Sequence, residues 1–414
     1  MSKRMRVVAR VGAALALMLV IGVVSSGQTT VQPRSVAVPD GVVLLFENET
    51  GSSVAGLGIM FDQPVVVDGN SIVAFGGGAV GELDLTGRLA WIPVEVASGG
   101  TLQVGVSGSD IRVADAYWLG NEMEKNEIIY RRFVEEFWNR GDSLVADEII
   151  GSDWSWRTSA SPQPIVGAEA LKMYQQMTLS SFPELHIQIE DYIAEGGSVF
   201  VRVTFTGTHE GELMGIPGTG KAFTFTDICF HRLENGRFQE SVQVADMLGL
   251  LQQIGVVPPM GEDFSWGTPT IVTGDTGDLE TNRKTALGVV EAWDSHDLTL
   301  LDELLSPVYV WHGPPMTLDL AGYKAYASGL LAGFPDLDFT VLQAVADGDR
   351  IGLYWAVSGT HLGEFMGIPP TGRPVAITGM DIHRLADGKV VETWEVYDGL
   401  ALMVQLGVIP PPGG

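Results

Sequence analysis

Apolar residues at helical spacing, followed by long β-type runs, occur twice in the last two thirds of the chain. In each opening helix the apolar positions recur every three or four residues. They are Tyr130, Phe133, Val134, Phe137 and Trp138 in the first copy, and Ala286, Val289, Val290 and Trp293 in the second. A second short helix, a strand and a third helix (167–179 or 321–334) follow.

Extended segments rich in β-branched and aromatic residues close each copy. Short turns separate them, at residues 195–197 and 235–236 in the first copy and 347–349 and 387–388 in the second. Asn-Gly and Asp-Gly are strong hairpin signals because both residues accept a positive φ. Helices followed by a run of antiparallel strands predict an α+β domain, in which the helices cover one face of a curved sheet and leave a pocket.

The two copies are related by sequence as well as by pattern. GTHEGELMGIPGTGKAFTFTDICFHR (207–232) returns as GTHLGEFMGIPPTGRPVAITGMDIHR (359–384), and the offset of 152 between His209 and His361 holds without a gap from Phe182 to Pro259. Self-similarity over this length indicates a duplicated domain. We place the first domain at residues 122–260, a Gly-, Thr- and Asp-rich linker at 261–280, and the second domain at 281–412.

The earlier part of the chain has a different pattern. Short β-type runs punctuated by Gly, Asn, Asp and Ser fill residues 36–119 and predict a small β-sandwich. It holds no catalytic constellation, so we expect a spacer or a module that contacts a protein partner. Residues 1–30 begin with basic residues and continue with an apolar run at 11–24, an order that predicts a signal peptide or a membrane anchor. The remainder should then be secreted or extracytoplasmic.

Composition narrows the function. The 414 residues carry a formal net charge of -27, which repels nucleic acid and anionic lipid, so neither is expected as a partner. The single cysteine, Cys229, excludes an internal disulfide and a cysteine-based zinc site, and the seven histidines show no metal-binding spacing. We therefore expect no structural metal.

The motifs FPDL, GTHxGExxGIPPTG, GxDIHR, VExWEVxD and LGVIPP occur in this order in the second repeat. In combination they resemble the SnoaL-like polyketide cyclases and their relatives, the predicted ester cyclases, which belong to the nuclear-transport-factor-2-like superfamily. The resemblance covers both repeats and implies two tandem cone-shaped α+β barrels. It implies cofactor-free acid/base chemistry, an aldol cyclisation or isomerisation of a carbonyl compound, with the proton-transferring role on Asp381 and a supporting role on His361.

The residue pattern supports part of the site that the resemblance implies. Asp381 shares one strand face with Gly379 and His383, and this face meets either the cavity or solvent. A carboxylate inside an apolar cone would have a raised pKa. His361 could equally be a hairpin histidine that bonds to the backbone, and His383 is more readily structural. The residues available to build the walls of the second cone are Trp311, Tyr326, Trp355, Met366, Trp394 and Tyr397. Trp394 and Tyr397 must point to opposite faces, so only one can line the pocket.

The first repeat departs from this pattern. Cys229 stands at the position of Asp381, while His209 is kept and Asp227 replaces Gly379. The first cone is therefore either a degenerate copy or a site with a displaced carboxylate at Asp227, in which His209 and Asp227 contact a ligand.

Three functions stay open from the sequence: an exported acid/base enzyme acting in the second cone on a small apolar molecule, a binder of such a molecule without turnover, and a scaffold. Large apolar residues in the last strands of both repeats, among them Val242 and Trp394, exceed what one cone interior needs. We expect these faces to pack together as an intramolecular pseudo-dimer.

Overall fold

The computed structural model of the chain describes residues 34–38, 41–47, 54–61, 66–67, 73–80, 84–86, 89–107, 113–119, 122–161, 163–258, 277–314 and 316–410. The predicted signal or anchor (1–30) and most of the predicted linker (261–280) lie outside these residues. The chain forms two compact units, residues 1–128 and 129–414. Within the described part, no helix is both long and apolar enough to cross a membrane.

The first unit contains one hydrogen-bonded sheet with the order β1-β2-β7-β3-β8, and the three remaining strands pair with β7. Its strands are β1 (Arg34–Val38), β2 (Gly41–Glu47), β3 (Val54–Phe61), β4 (Val66–Val67), β5 (Val73–Val80), β6 (Asp84–Thr86), β7 (Leu89–Ser107) and β8 (Val113–Leu119). β7 is a single continuous strand of 19 residues and not one of the short runs that the sequence pattern predicts. The sandwich arrangement stays a prediction.

In the first repeat two helices precede the strands of the sheet, a third lies between its second and third strands, and a fourth follows the last strand. Its helices are α1 (Glu122–Arg132), which continues into a π-helix (Phe133–Asn139), α2 (Val145–Ile149), α3 (Gly167–Ser181) and α4 (Met247–Gln253). Its strands are β9 (Ile150–Thr158), β10 (Ile165–Val166), β11 (His186–Glu195), β12 (Ser198–Thr208), β13 (Ala222–Glu234) and β14 (Arg237–Ala245).

The second repeat has the same order of elements. Its helices are α5 (Leu279–Asp294), a 3-10 turn (Leu298–Leu300), α6 (Leu301–Leu304), α7 (Leu320–Gly333) and α8 (Gly399–Leu406). Its strands are β15 (Leu305–Gly313), β16 (Met316–Asp319), β17 (Asp338–Asp347), β18 (Arg350–Thr360), β19 (Pro374–Ala386) and β20 (Lys389–Tyr397).

Each repeat builds a six-stranded sheet with one parallel pair. The orders are β10-β9-β14-β13-β12-β11 and β16-β15-β20-β19-β18-β17, in which β9–β14 and β15–β20 are parallel. The α+β prediction is confirmed for both repeats. The closing helices α4 and α8 were not predicted. They follow the N-cap residues Asp246 and Asp398, whose carboxylates accept hydrogen bonds from the backbone N–H groups of Gly249 and Ala401.

One buried cluster joins the sheets of the two repeats. Its members are Ile193, Phe200, Ile228, Phe230, Val242 and Val244 from the first repeat, and Val345, Tyr354, Met380, Ile382, Trp394 and Val396 from the second. Nearly all of these residues occupy equivalent positions at the offset of 152. The outer faces of the two sheets therefore pack against each other around related positions.

The centre of this contact is asymmetric. Phe200 is fully buried, and a Cβ built on its counterpart Gly352 would come within 2.5 Å of the Phe200 ring. Two phenylalanines could not share this space, and two glycines would leave it empty. A duplicated chain can place a large and a small residue at the two positions, which an assembly of identical subunits cannot do.

Charged side chains surround the cluster and cross between the repeats. Both oxygens of Glu195 accept from the Arg283 guanidinium at 2.6 Å, and Asp191 forms an ion pair with Arg350. The Arg202 guanidinium lies 4.7 Å from the centre of the Trp394 ring. These contacts fix the register in which the two sheets meet.

Candidate active site

Asp381 lies on β19 with its side chain inside the second cone. Residues alternate along the strand, so Met380 and Ile382 face the first repeat while Asp381 lines a cavity. Only 7% of Asp381 is exposed, and its Oδ1 atom has no hydrogen-bond partner among the described residues.

Glu395 on β20 is the direct cross-strand neighbour of Asp381 and lines the same cavity. Its Oε2 atom accepts a hydrogen bond from Trp311 Nε1 at 3.2 Å. Two carboxyl groups thus face one apolar space. Directly opposed residues on one sheet face have Cβ atoms about 4.5–5.5 Å apart, close enough for the charge on one to affect the other.

The walls of this cavity are aromatic and aliphatic. Helix α5 contributes Val289, Val290 and Trp293, and helix α7 contributes Tyr323, Tyr326 and Leu330. The strands contribute Phe339, Trp355, Val357, Val375, Ile377 and Tyr397, and the loops and α8 add Phe334, Leu337, Phe365 and Leu402. The cavity has a volume of about 80 Å³, which is room for two or three water molecules at ~30 Å³ each.

Burial controls the acidity of both carboxyl groups. It raises the pKa of Asp381 well above the usual value, and the charge of Glu395 raises it further, while the Trp355 side chain opposes this change. Burial also raises the pKa of Glu395 to about 7, against the hydrogen bond from Trp311. As the pH rises through about 7 the pair therefore passes from two protons to one, and Asp381 is the member that stays protonated.

Both repeats match a known protein family. The model of the SnoaL-like polyketide cyclase family matches residues 128–254 and 284–406, more than half of the chain. The chain belongs to the SnoaL-like polyketide cyclase family.

Individual members of the family resemble one repeat at a time. The aklanonic acid methyl ester cyclases DnrD of Streptomyces peucetius and DauD of Streptomyces sp. (strain C5) are each 30% identical over 138 residues, 33% of this chain and 94% and 85% of theirs. Among solved structures, AclR from Streptomyces galilaeus is 35% identical (TM-score 0.31, 32% of this chain, 85% of that one). IdmH from Streptomyces antibioticus is 36% identical (TM-score 0.29, 30% and 98%). Family membership supports a cyclase- or isomerase-type role.

The aromatic residues expected in the second cone fall into three groups. Tyr326, Trp355 and Tyr397 line the cavity. Trp311 is fully buried behind the cavity wall and stacks on Tyr326 with ring centres 5.1 Å apart. Its Nε1–H group donates a hydrogen bond to Glu395. Trp394 does not line the cavity, because it lies on the opposite sheet face in the contact between the repeats.

Two further residues of the predicted site, Met366 and His361, do not line the cavity, and His361 takes the backbone-bonding role that the sequence left open. Met366 is 37% exposed in a loop and is not part of the cavity wall. His361 is fully buried beside Phe334 but does not line the cavity. Its Nδ1 atom accepts from the backbone N–H of Thr371 at 3.3 Å, so the ring closes the 361–373 loop.

His209 has the corresponding place in the first repeat, with Nδ1 3.2 Å from Thr219 Oγ1, and it does not line the first cavity. Burial lowers the pKa of both histidines, which keeps the rings neutral. Asp227 does line the cavity of the first cone. No cluster of three or more His, Cys, Asp or Glu side chains that could hold a metal ion occurs in the described part of the chain.

Glu395 is the candidate functional residue that the predicted site set left out. The sequence shows that Glu395 stands where the first repeat has Gln243. It does not show that Glu395 lies opposite Asp381 on the neighbouring strand. The reason is a change of register in the β19–β20 hairpin, between Arg384 and Leu385.

Replacing Glu395 by Gln should raise the stability of the protein above pH 7 and leave it unchanged near pH 4. The folded-state pKa of about 7 exceeds the ordinary value of 4.5, so the native state binds the extra proton between these two values. The folded protein keeps the full stability associated with Glu395 below pH 4.5, where the group is protonated. It loses this stability as the pH rises through about 7 and the buried carboxyl group ionises. The Gln variant avoids that loss, which is on the order of 3 kcal/mol.

Thermal unfolding at the two pH values measures the effect. The exposed Glu364, changed to Gln, is the matched control and should alter neither midpoint. Equal midpoints for wild type and Glu395→Gln at pH 8 would show that the Glu395 carboxylate carries no burial penalty.

Proposed function

We propose that the second cone is the active site of a cofactor-free enzyme that removes a proton next to a carbonyl group of an apolar compound. The enolate so formed closes a ring by intramolecular aldol addition or takes up the proton at another carbon. The observation that carries this proposal is the Asp381–Glu395 pair, two cross-strand carboxyl groups that face one apolar cavity.

The pair supplies both an ionised carboxylate, which accepts a proton, and a protonated carboxyl group, which donates one. The ionised member accepts the proton from carbon, and the electron pair of the broken C–H bond forms the enolate. In an aldol closure this electron pair attacks a second carbonyl carbon, and the resulting alkoxide takes a proton from the protonated member. A general base works best when its pKa is close to the ambient pH, and the pKa of about 7 for Glu395 meets this condition.

The walls favour an apolar substrate. Tyr326, Trp355 and Phe365 present rings to the cavity, so a bound molecule loses water on all sides. At about 80 Å³ the cavity as it stands has room for only a few heavy atoms, so even a small carbonyl compound requires some opening of the walls. A polycyclic substrate requires the walls to move apart, because sites for such ligands usually enclose ~300–1,000 Å³.

The test is the exchange of carbon-bound protons of acetylacetone in deuterated buffer, followed by proton NMR. This compound is small and has an acidic C–H between two carbonyl groups. We expect the full chain to accelerate the exchange well beyond the same concentration of acetate, and the rate to rise with pH through about 7, as Glu395 ionises. A rate equal to that with acetate would overturn the proposal.

A further inference from the structure

The first cone contains the larger cavity of the two. Its volume of about 470 Å³ falls within the ~300–1,000 Å³ typical of small-molecule sites, against about 80 Å³ in the second cone. Met177 and Met214 line it and are 69% and 42% exposed, so they mark its entrance. Methionine side chains adapt their shape to different ligands, which suits such an entrance.

Two substitutions between the repeats account for the extra space. Trp355 and Tyr397 of the second cavity correspond to Val203 and Ala245 in the first, and all four line their cavities. Two large rings are thus replaced by small aliphatic side chains in the same walls.

Asp227 occupies part of the space that the missing tryptophan leaves. In the second cone the Trp355 ring lies over its cross-strand neighbour Gly379, where an added Cβ would clash with the ring. In the first cone the equivalent pair is Val203 and Asp227. The smaller neighbour is what allows a carboxyl group at this position.

The carboxyl group of Asp227 is held in a defined orientation. Gln243 Nε2 donates to Asp227 Oδ2, and Gln243 Oε1 accepts from the Thr158 hydroxyl at 2.7 Å, which fixes the direction of the amide. Asp227 Oδ1 is buried and has no hydrogen-bond partner among the described residues. One oxygen of a 1% exposed side chain is therefore left for a ligand.

We propose that the first cone is a separate binding site for a neutral, apolar ring compound, held by one hydrogen bond from Asp227 to a carbonyl oxygen. Burial raises the pKa of Asp227 well above its usual value, so the group is a carboxylic acid near neutrality. Because Oδ2 accepts from Gln243, the proton resides on Oδ1.

The same cone lacks the means for proton transfer from carbon. Cys229 and Gln243 stand at the positions of Asp381 and Glu395, so the paired carboxyl groups are missing. Asp227 as a neutral acid donates a hydrogen bond but does not act as a base. Burial lowers the pKa of His231 in the same wall to about 3, which makes it a weak base, and Glu212 lies exposed at the rim of the cavity. The site binds its ligand without turnover.

Calorimetric titration of the full chain with 2-acetylnaphthalene and 2-ethylnaphthalene tests this proposal. The two probes have nearly the same shape, and only the first has a carbonyl oxygen. We expect one molecule bound per chain and a preference of about 3- to 10-fold for the acetyl compound, the effect of one buried hydrogen bond.

Three variants locate the site. Asp227→Asn should keep the preference, because the amide accepts from Gln243 and donates to the carbonyl. Asp227→Leu should remove the preference, and Ala245→Tyr should weaken both probes at least 10-fold by restoring a ring of the second cone. Asp153→Asn, on the exposed face of β9, is the matched control and should bind like the wild type.

Several results would overturn the proposal. They are the absence of probe binding to the wild type, an equal affinity for both probes, and undiminished binding by the folded Ala245→Tyr variant. Loss of the preference in Asp227→Asn would also contradict it, since the amide can donate the same hydrogen bond to the carbonyl oxygen.

Discussion

Replacing Asp381 by Asn should reduce the exchange of carbon-bound protons in acetylacetone by about 10²- to 10⁴-fold, the usual contribution of a general acid or base, because the protonated Asp381 donates to the enolate oxygen while Glu395 takes the proton from carbon. Asn has nearly the shape of Asp but transfers no proton at neutral pH. Asp381 Oδ1 has no partner within the described structure, so the amide breaks no hydrogen bond that this atom makes. The fold should therefore survive the change while the exchange rate falls.

The hairpin that carries Asp381 also provides a control. Asp387 is exposed in the turn between β19 and β20 at a φ of 53°, a conformation that Asn adopts as readily. Asp387→Asn makes the same chemical change on the same hairpin and should leave the rate unchanged. An undiminished rate in Asp381→Asn would remove Asp381 from the mechanism.

Replacing Phe200 by Ala should lower the free energy of unfolding by about 3–5 kcal/mol and should loosen both repeats. Phe200 belongs to the first repeat, but its ring fills the space over Gly352 in the second. We propose that the two repeats are an intramolecular pseudo-dimer in which each stabilises the other. Hydrogen exchange should therefore increase in β18 and β19 of the second repeat as well as in β12.

Gly352→Ala tests the same contact from the other side. An added methyl group meets the Phe200 ring and should cost about 1–3 kcal/mol. Combined with Phe200→Ala it should cost less than the two single changes together, because the smaller side chain makes room. Additive effects, or normal hydrogen exchange in β18 and β19 of Phe200→Ala, would show that the repeats are independent.

Much of the fold could be predicted from local signals. The Asn235-Gly236 and Asp387-Gly388 turns end the β13 and β19 strands as expected, and all four residues have a positive φ. Strict alternation along β19 placed Asp381 and Met380 on opposite faces. The family motifs then indicated which of these faces belongs to the cavity.

The partner of Asp381 could not be predicted in this way. A two-residue turn at 387–388 pairs Ala386 with Lys389, and an unbroken ladder from there would place Trp394 opposite Asp381. One extra residue in β20 shifts the register, so that Glu395 takes this place and Trp394 turns to the other repeat. Such a bulge depends on packing across the whole sheet and has no local sequence signal.

The difference in cavity volume between the two cones could not be predicted from the sequence either. Ala245 and Val203 can be read in the sequence, but the sequence left open whether the first cone is a degenerate copy or a site with a carboxylate at Asp227. Their consequence, a cavity of about 470 Å³ with Asp227 in its wall, depends on which side chains share one wall. That information comes from strand register and from helix packing together.

The most direct test of the paired carboxyl groups is their titration by ¹³C NMR in protein labelled at the carboxyl carbons of Asp and Glu. Asp381→Asn and Glu395→Gln assign the two signals. We predict that Glu395 titrates near pH 7 and Asp381 at a higher pH than an ordinary Asp, and that removing either one changes the titration of the other. If both carbons titrate independently at ordinary values, the second cone does not contain the acid/base pair on which the proposed function depends.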